Sequence, residues 1–319
     1  MAAAALLASL TAAAEAQDWP TRPITLIVPF AAGGGVDASA RLQAAAIGDA
    51  LGQTVVVENV GAAAGTVGSA RVAKAAPDGY TFLMGNSGTQ VYSQSLYKKK
   101  PYDTLADYEP LGMVTESPRL LVARKGLPIN NLQELVAYMK ANAAKMQYGS
   151  AGVGSGTHLP CALLNYTVGV DITMVPYRGE GPSLQDVIGE RIDYMCTTMQ
   201  SGAAQARQGT VKGIAVMAPR RAAVVPDIPT TGEQGLAGVE ATVWNGYFFP
   251  KGTPKDIVDK MNGAIEKAVT RPDIREKMES LGLEILPPQE RTPTYMAKFL
   301  PQDIERWAKV IKAAGISMD

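Results

Sequence analysis

From Pro23 onward, apolar runs of strand length alternate with stretches whose apolar residues recur at helical spacing. Ile24–Val28 predicts a strand, and Asp37–Leu51 a helix closed by Gly52, a residue suited to a helix C-terminus. Thr54–Glu58 is β-branched and strand-like. Gly61–Gly65 reads as a flexible loop before a helix through Ala75. Pro77-Asp78-Gly79 then signals a turn, Tyr80–Met84 the next strand, and Asn86-Ser87-Gly88-Thr89 a polar loop closing it. Arg119–Arg124 reads as a strand crossing into a second lobe. Asn131-Leu132-Gln133-Glu134 matches an N-cap with an acid three residues on, opening a helix to about Ala143. A strand at Met146–Tyr148, a glycine-rich loop, a helix to about Val168 and a strand at Ile172–Val175 follow. Pro182 is placed to start a helix over Ser183–Gly189. Arg191–Thr197 and Lys212–Met217 are further strands, and Trp244–Phe249 reads as a return crossing after the coil Pro226–Gly238. Helices over Pro254–Val269, Asp273–Ser280 and Thr292–Ala314 complete the pattern, and no repeat period stands out.

This alternation predicts an α/β protein. Two crossings divide it into two α/β lobes, 17–123 plus 243–319 and 124–242, joined by two crossover strands with a ligand cleft between them. Two loops of similar build are expected to face that cleft. The first is Pro29-Phe30-Ala31-Ala32-Gly33-Gly34-Gly35, with Asp37 as the expected cap of the helix that follows. The second is Ser150-Ala151-Gly152-Val153-Gly154-Ser155-Gly156-Thr157-His158, where Ser155 and Thr157 are the expected caps. Glycine admits close approach, and the free N–H groups of a helix start carry partial positive charge. Each loop is thus a seat for a carboxylate or phosphate.

Charge narrows the partners. The 319 residues hold 30 basic and 30 acidic side chains, so nothing draws the chain to nucleic acid or to an anionic membrane surface. An anionic ligand must be held by local groups. The apolar run 2–16 is too short to span a bilayer, and Ala14-Glu15-Ala16 reads as an A-x-A cleavage site, so 1–16 is expected to be a signal peptide. No Lys or Arg precedes the run, which leaves room for an upstream start; the alternative is an alanine-rich N-terminal helix. Cys161 and Cys196 are the two cysteines; an exported protein would permit one disulfide, and two buried thiols are the other reading. Two Cys and one His are too few for a zinc site, so no metal is expected.

Enzyme readings are weaker. Gly33-Gly34-Gly35-Val36-Asp37-Ala38 satisfies the dinucleotide pattern between a strand and a helix, and Glu58 ends the next strand where a ribose-binding acid belongs. A Rossmann-type nucleotide-dependent enzyme is therefore the alternative. Against it, Asp37 would set a carboxylate where the pyrophosphate lies, Pro29–Ala32 lengthens the turn, and export removes the cytosolic cofactor pool. His158 is the sole histidine and no G-x-S-x-G elbow exists, so His158 is expected to make a structural hydrogen bond at a helix start, with a place beside the ligand as its second reading. No P-loop motif is present.

Taken together, several co-linear motifs resemble the periplasmic solute-binding proteins of tripartite tricarboxylate transporters, the Bug family. They are Pro29-Phe30 through Asp37, Val57-Glu58-Asn59, Pro77-Asp78-Gly79-Tyr80-Thr81, Tyr148 through Leu159, Pro176-Tyr177-Arg178-Gly179 with Leu184-Gln185-Asp186, Pro226-Asp227-Ile228-Pro229-Thr230, and Trp307 with Ala314-Gly315-Ile316. The resemblance runs from about Trp19 to the C-terminus. It implies a type II-like periplasmic binding fold that closes on a small carboxylate, di- or tricarboxylate, aromatic or amino dicarboxylate, without a cofactor. It further implies a monomer that delivers its ligand to membrane permease subunits, and a carboxylate held by backbone N–H groups, hydroxyls and water with no mandatory arginine. The residues it carries over are Gly33, Gly34, Gly35 and Asp37 from the first lobe, and Ser150, Ala151, Gly154, Ser155, Thr157 and His158 from the second. Asn86 and Ser87 join them because their loop follows a strand beside the first glycine loop. The chain departs from the family pattern at Val60–Ala63, at Glu180 and at Thr197-Thr198. Glu180, with Thr198, is expected to border the pocket, where an extra carboxylate would disfavour a plain dianion or welcome an amino group; the other reading of Glu180 is a solvated loop glutamate.

Overall fold

A computed structural model describes residues 19–313 and 315–317. The expected signal peptide, 1–16, lies outside the described residues. The first strand, β1 (Ile24–Val28), buries Ile24, Leu26, Ile27 and Val28 completely. A continuous apolar run of this kind is what a parallel strand covered on both faces requires. It lies between β2 (Val55–Asn59) and β3 (Thr81–Asn86), both parallel to it. The crossovers are α1 (Gly35–Leu51) and α2 (Thr66–Ala73). Gly52 ends α1 at φ 69°, its N–H returning to Gly48 O. After β3 a π-turn over Gly88–Tyr92 runs into the short α3 (Ser93–Leu96).

The chain then enters β4 (Tyr108–Arg124), a strand far longer than the apolar run Arg119–Arg124 alone predicts. The second lobe follows: α4 (Leu132–Asn142), β5 (Gln147–Ser150), α5 (Leu159–Val168), β6 (Thr173–Pro176), α6 (Glu180–Ile188), β7 (Tyr194–Thr198), α7 (Met199–Arg207) and β8 (Val211–Met217). Asn131 caps α4 by accepting from the Glu134 N–H, as its sequence predicts. The return is β9 (Thr242–Pro250), then α8 (Lys255–Thr270), α9 (Pro272–Ser280), β10 (Glu284–Ile285) and α10 (Pro293–Ala313).

Strand order is β2-β1-β3-β9-β4-β7-β5-β6, with β8 and β10 also paired to β4. Everything turns on β4. Its residues Tyr108–Pro118 pair with β9, and Arg119–Arg124 pair with β7 and β8. Pro118, which has no N–H to donate, stands where the partners change. Beside it the Arg119 N–H reaches Ala241 O, one residue before β9 begins. Two strands thus cross side by side between two α/β bodies.

One apolar cluster, including Leu83, Phe248, Leu121 and Tyr148, runs through both bodies, and each body has a further core of its own. Leu26, Phe82, Tyr247 and Phe249 pack with Ile47 of α1 and Met261 and Ile265 of α8 in the first. Leu120, Val122, Met195 and Val216 pack with Leu184 of α6 and Met199 of α7 in the second. Cys161 and Cys196 form a disulfide that ties α5 to β7, so the two cysteines are joined rather than free. A covalent tie across 35 residues of sequence removes denatured-state entropy equivalent to about 4 kcal/mol in the chain-entropy account.

Candidate functional site

The first glycine loop is braced from beneath by Asp37. The cap of α1 is Gly34, not Asp37, and Asp37 sits in the first turn with 4 % of its surface exposed. Its carboxylate folds back to accept from the Gly33 N–H (2.9 Å), Arg41 Nε (3.1 Å) and Asn59 Nδ2 (2.9 Å). Burial alone would raise its pKa, but Gly33, Arg41 and Asn59 together hold it below the usual carboxylate value. The charge is therefore committed to the loop's own scaffold. Gly33 takes φ 83°, Gly33 and Gly34 remain exposed, and the first-turn N–H groups of α1 have no partner within the helix.

The second loop, between β5 and α5, is held by its own side chains. Ala151 N–H donates to Thr157 Oγ1 (2.8 Å), Gly152 N–H to Ser150 Oγ (3.2 Å) and Gly154 N–H to His158 Nδ1 (2.9 Å). Ser155 Oγ meets Thr157 Oγ1 at 3.1 Å. Ser155 and Thr157 thus do not cap the helix; α5 starts at Leu159 with Pro160 in its first turn and no side-chain cap. The hydroxyls turn toward the preceding residues because the loop, with φ 113° at Gly152 and 75° at Gly154, curls back over itself. His158 makes the structural hydrogen bond expected of it. Its ring stacks on Tyr148, and burial lowers its pKa to about 4. At neutral pH it is uncharged, and the bond its Nδ1 accepts leaves the proton on Nε2.

The lobes approach one another across the crossing strands at two places. A Cβ on Gly35 would stand 3.2 Å from Cβ of Gln200 on α7, and one on Gly88 would stand 3.5 Å from Gly156 N. Asn86 is buried, its Oδ1 accepting from the Thr89 N–H at 3.0 Å, and Ser87 is 1 % exposed. Around this junction several buried polar atoms have no hydrogen-bond partner among the described residues: Ser87 Oγ, Tyr92 Oη, Arg119 Nε and Nη1, Gln200 Oε1 and Asn245 Oδ1. Native interiors pair such groups, with water or a bound molecule where the chain itself does not. A separate cavity of about 320 Å³, where β10 meets β4, is lined by Glu116, Arg220, Arg275, Glu284 and Arg291 among others; neither glycine loop reaches it.

The sequence profile of the tripartite tricarboxylate transporter family receptor matches residues 39–316. The chain belongs to that family. Three solved structures resemble this receptor closely. The periplasmic binding protein BugD shares 39% identity at a TM-score of 0.88, covering 94% of this chain and 99% of its own. MatC from Rhodopseudomonas palustris, solved with bound malate, shares 39% identity at 0.87, covering 92% and 100%. A second R. palustris protein, solved with adipate, shares 32% identity at 0.88, covering 94% and 99%. The family fixes the fold as a two-lobed periplasmic binding protein and its members as solute-binding proteins, not enzymes. The dinucleotide alternative falls with that, and geometry agrees: Glu58 is engaged by Arg71, whose guanidinium lowers its pKa. Among the described residues, no helix of the receptor is long and apolar enough to cross a membrane.

Glu180 of this receptor is not a solvated loop glutamate. It opens α6, and its carboxylate accepts from Thr197 Oγ1, the Thr198 N–H (2.5 Å) and Thr198 Oγ1 (3.0 Å). It braces the end of β7, while Thr198 also caps α7 by accepting from the Ser201 N–H. Four junction residues escaped the sequence reading: Tyr92, Arg119, Gln200 and Asn245. Arg119 alone left a trace, as a cation opening the otherwise apolar run Leu120-Leu121-Val122-Ala123.

Proposed function

We propose that this protein is a periplasmic receptor that captures a small di- or tricarboxylate by hinge closure and passes it to the permease of a tripartite tricarboxylate transporter. The observation that carries this reading is the junction itself, where Gly35 of the first loop faces Gln200 of α7 and Gly156 of the second faces Gly88, beside buried polar groups that lack partners among the described residues. Malate in one relative and adipate in another supply the ligand class. The lobes are 17–123 plus 243–319 and 124–242, turning about β4 and β9, with 1–16 removed on export and the mature receptor acting as a monomer.

In this reading Gly33, Gly34 and Gly35 offer main-chain N–H groups from one side, with Asp37 shaping their loop rather than touching the ligand. Ser150, Ala151, Gly154, Ser155, Thr157 and His158 form the opposing wall, Asn86 and Ser87 its floor, and Glu180 with Thr198 its rim. A ligand that bridges both lobes binds the closed form better and shifts the population toward it. Charge-assisted contacts in a site drier than bulk water suit micromolar binding, about −8 kcal/mol.

A thermal-shift screen of the purified protein against mono-, di- and tricarboxylates and aromatic acids tests the assignment. Ligand at about 100 times Kd stabilises by about 2.7 kcal/mol, so at least one di- or tricarboxylate is expected to raise the melting temperature by several degrees. A flat response across the whole panel would remove the carboxylate reading.

A further inference from the structure

We propose that Arg119 is a ligand-binding residue that holds a second anionic group, so that this receptor takes acids carrying two negative charges in preference to acids carrying one. The inference rests on the carboxylate reading of the cleft and goes beyond it by naming the side chain that counts the charges.

Arg119 stands at the first residue of β4 beyond the change of partners, at the hinge, with 4 % of its surface exposed. Nε and Nη1 are both buried, and neither has a hydrogen-bond partner among the described residues. No carboxylate of the described residues lies within ion-pair distance of it. The carboxylate acting on it electrostatically is Glu180, whose oxygens are already taken by Thr197 and Thr198. A guanidinium keeps its charge in proteins and presents five N–H donors, and an isolated buried charge is far costlier to keep than a neutral polar group. Lone burial of this kind is sustained when something else brings the counter-charge.

Its surroundings say where that counter-charge arrives. Nη2 lies 2.7 Å from the position a Cβ would take on Gly156, so the guanidinium rests directly on the second glycine loop, and the missing side chain is what makes room for it. Tyr92 is in its electrostatic reach, and the buried Tyr92 and Ser87 hydroxyls lie beside one another with no other partner among the described residues. A pair of neighbouring hydroxyls and a planar cationic fork stand together at the lobe junction. That set fits a carboxylate, which accepts from several donors and pairs with arginine through both oxygens. With one carboxylate on the N–H groups of the first glycine loop and the other on Arg119, a single small diacid would bridge the lobes.

Titration calorimetry on the purified protein tests this with succinate, malate, glutarate and adipate, each beside its half-amide, which keeps the length and loses one charge. The wild type is expected to bind its preferred diacid at least tenfold more tightly than the half-amide. R119Q is expected to lose about 100-fold in diacid affinity and the preference with it, while R119K recovers part of both. Because R119Q removes a lone buried charge, its ligand-free melting temperature is expected to stay level or rise. A fall in that temperature with diacid affinity intact would make Arg119 a packing residue and overturn the proposal. So would equal wild-type affinity for diacid and half-amide, which needs no variant to fold. A wild type that binds no member of the panel and no tricarboxylate would instead remove the carboxylate reading, and the role of Arg119 with it.

Discussion

At the scale of single residues, several side chains that look like ligand contacts turn out to build the loops first. Asp37, Thr157 and Glu180 each accept hydrogen bonds from backbone N–H groups of the scaffold, and sequence showed their chemistry without their direction. A carboxylate or hydroxyl near a helix start reads as a cap because that is its commonest local use; here the curl of each loop offered nearer donors. His158 was legible because its alternatives were few. Its buried, neutral ring also has a measurable consequence. Its folded pKa of about 4 lies below the ordinary value of 6.5, so the unfolded chain binds the extra proton in the window between them. Stability attributable to this group is complete above about pH 6.5 and declines as pH falls toward 4, by up to about 3 kcal/mol from a shift of this size. The melting temperature is expected to drop between pH 7 and pH 5, and His158→Gln to flatten that drop. An identical pH slope in the variant would mean that other groups set it.

At the scale of elements, the central strands and helices were legible because burial on both faces leaves unbroken apolar runs, as in β1. β4 was not. Its first part carries Glu109, Pro110, Gly112, Glu116 and Pro118, residues that read as loop, yet it pairs with β9 throughout. Register shifts between Pro110 and Gly112 and between Met113 and Thr115 absorb the proline and the glycine, and Pro118 falls where no ladder bond is asked of it. The two-residue β10 and the π-turn after β3 carry no periodic signal long enough to find. The cysteines illustrate the same limit, since spacing in sequence does not give distance in space. Their bond joins α5, which follows the second glycine loop, to β7, which pairs with the hinge end of β4 at Leu121 and Cys196. Replacing both with alanine is expected to cost about 4 kcal/mol and about 10 °C in melting temperature. Calorimetric scans of the oxidised protein and the double variant measure it, and coincident transitions would show that packing alone holds α5 on β7.

At the scale of the whole molecule, two lobes and two crossings were legible from the order of strands and helices alone. Their approach to one another was not, because it depends on contacts between residues far apart in sequence, such as Gly35 with Gln200 and Gly88 with Gly156. Those contacts leave little room between the lobes at these two points. Gly35 opens α1 at the lip of the first loop, and a Cβ there would already press on the Gln200 side chain. A leucine at that position keeps an ordinary helical conformation and leaves both cores untouched, so the open protein has no reason to lose stability. The closed form must either push α7 aside or stop short. Binding energy that closure would have released is then partly lost, because a ligand shifts the equilibrium only by its differential affinity for the two forms. Gly35→Leu is therefore expected to weaken carboxylate binding by at least tenfold, about 1.4 kcal/mol. Its ligand-free melting temperature should stay within about a degree of wild type, since a surface change away from either core is close to neutral. Small-angle scattering supplies the second readout: ligand should contract the wild type and leave the variant nearly as extended as before. Wild-type affinity with full contraction in Gly35→Leu would mean that the lobes do not meet at α1 and α7 when the ligand is held.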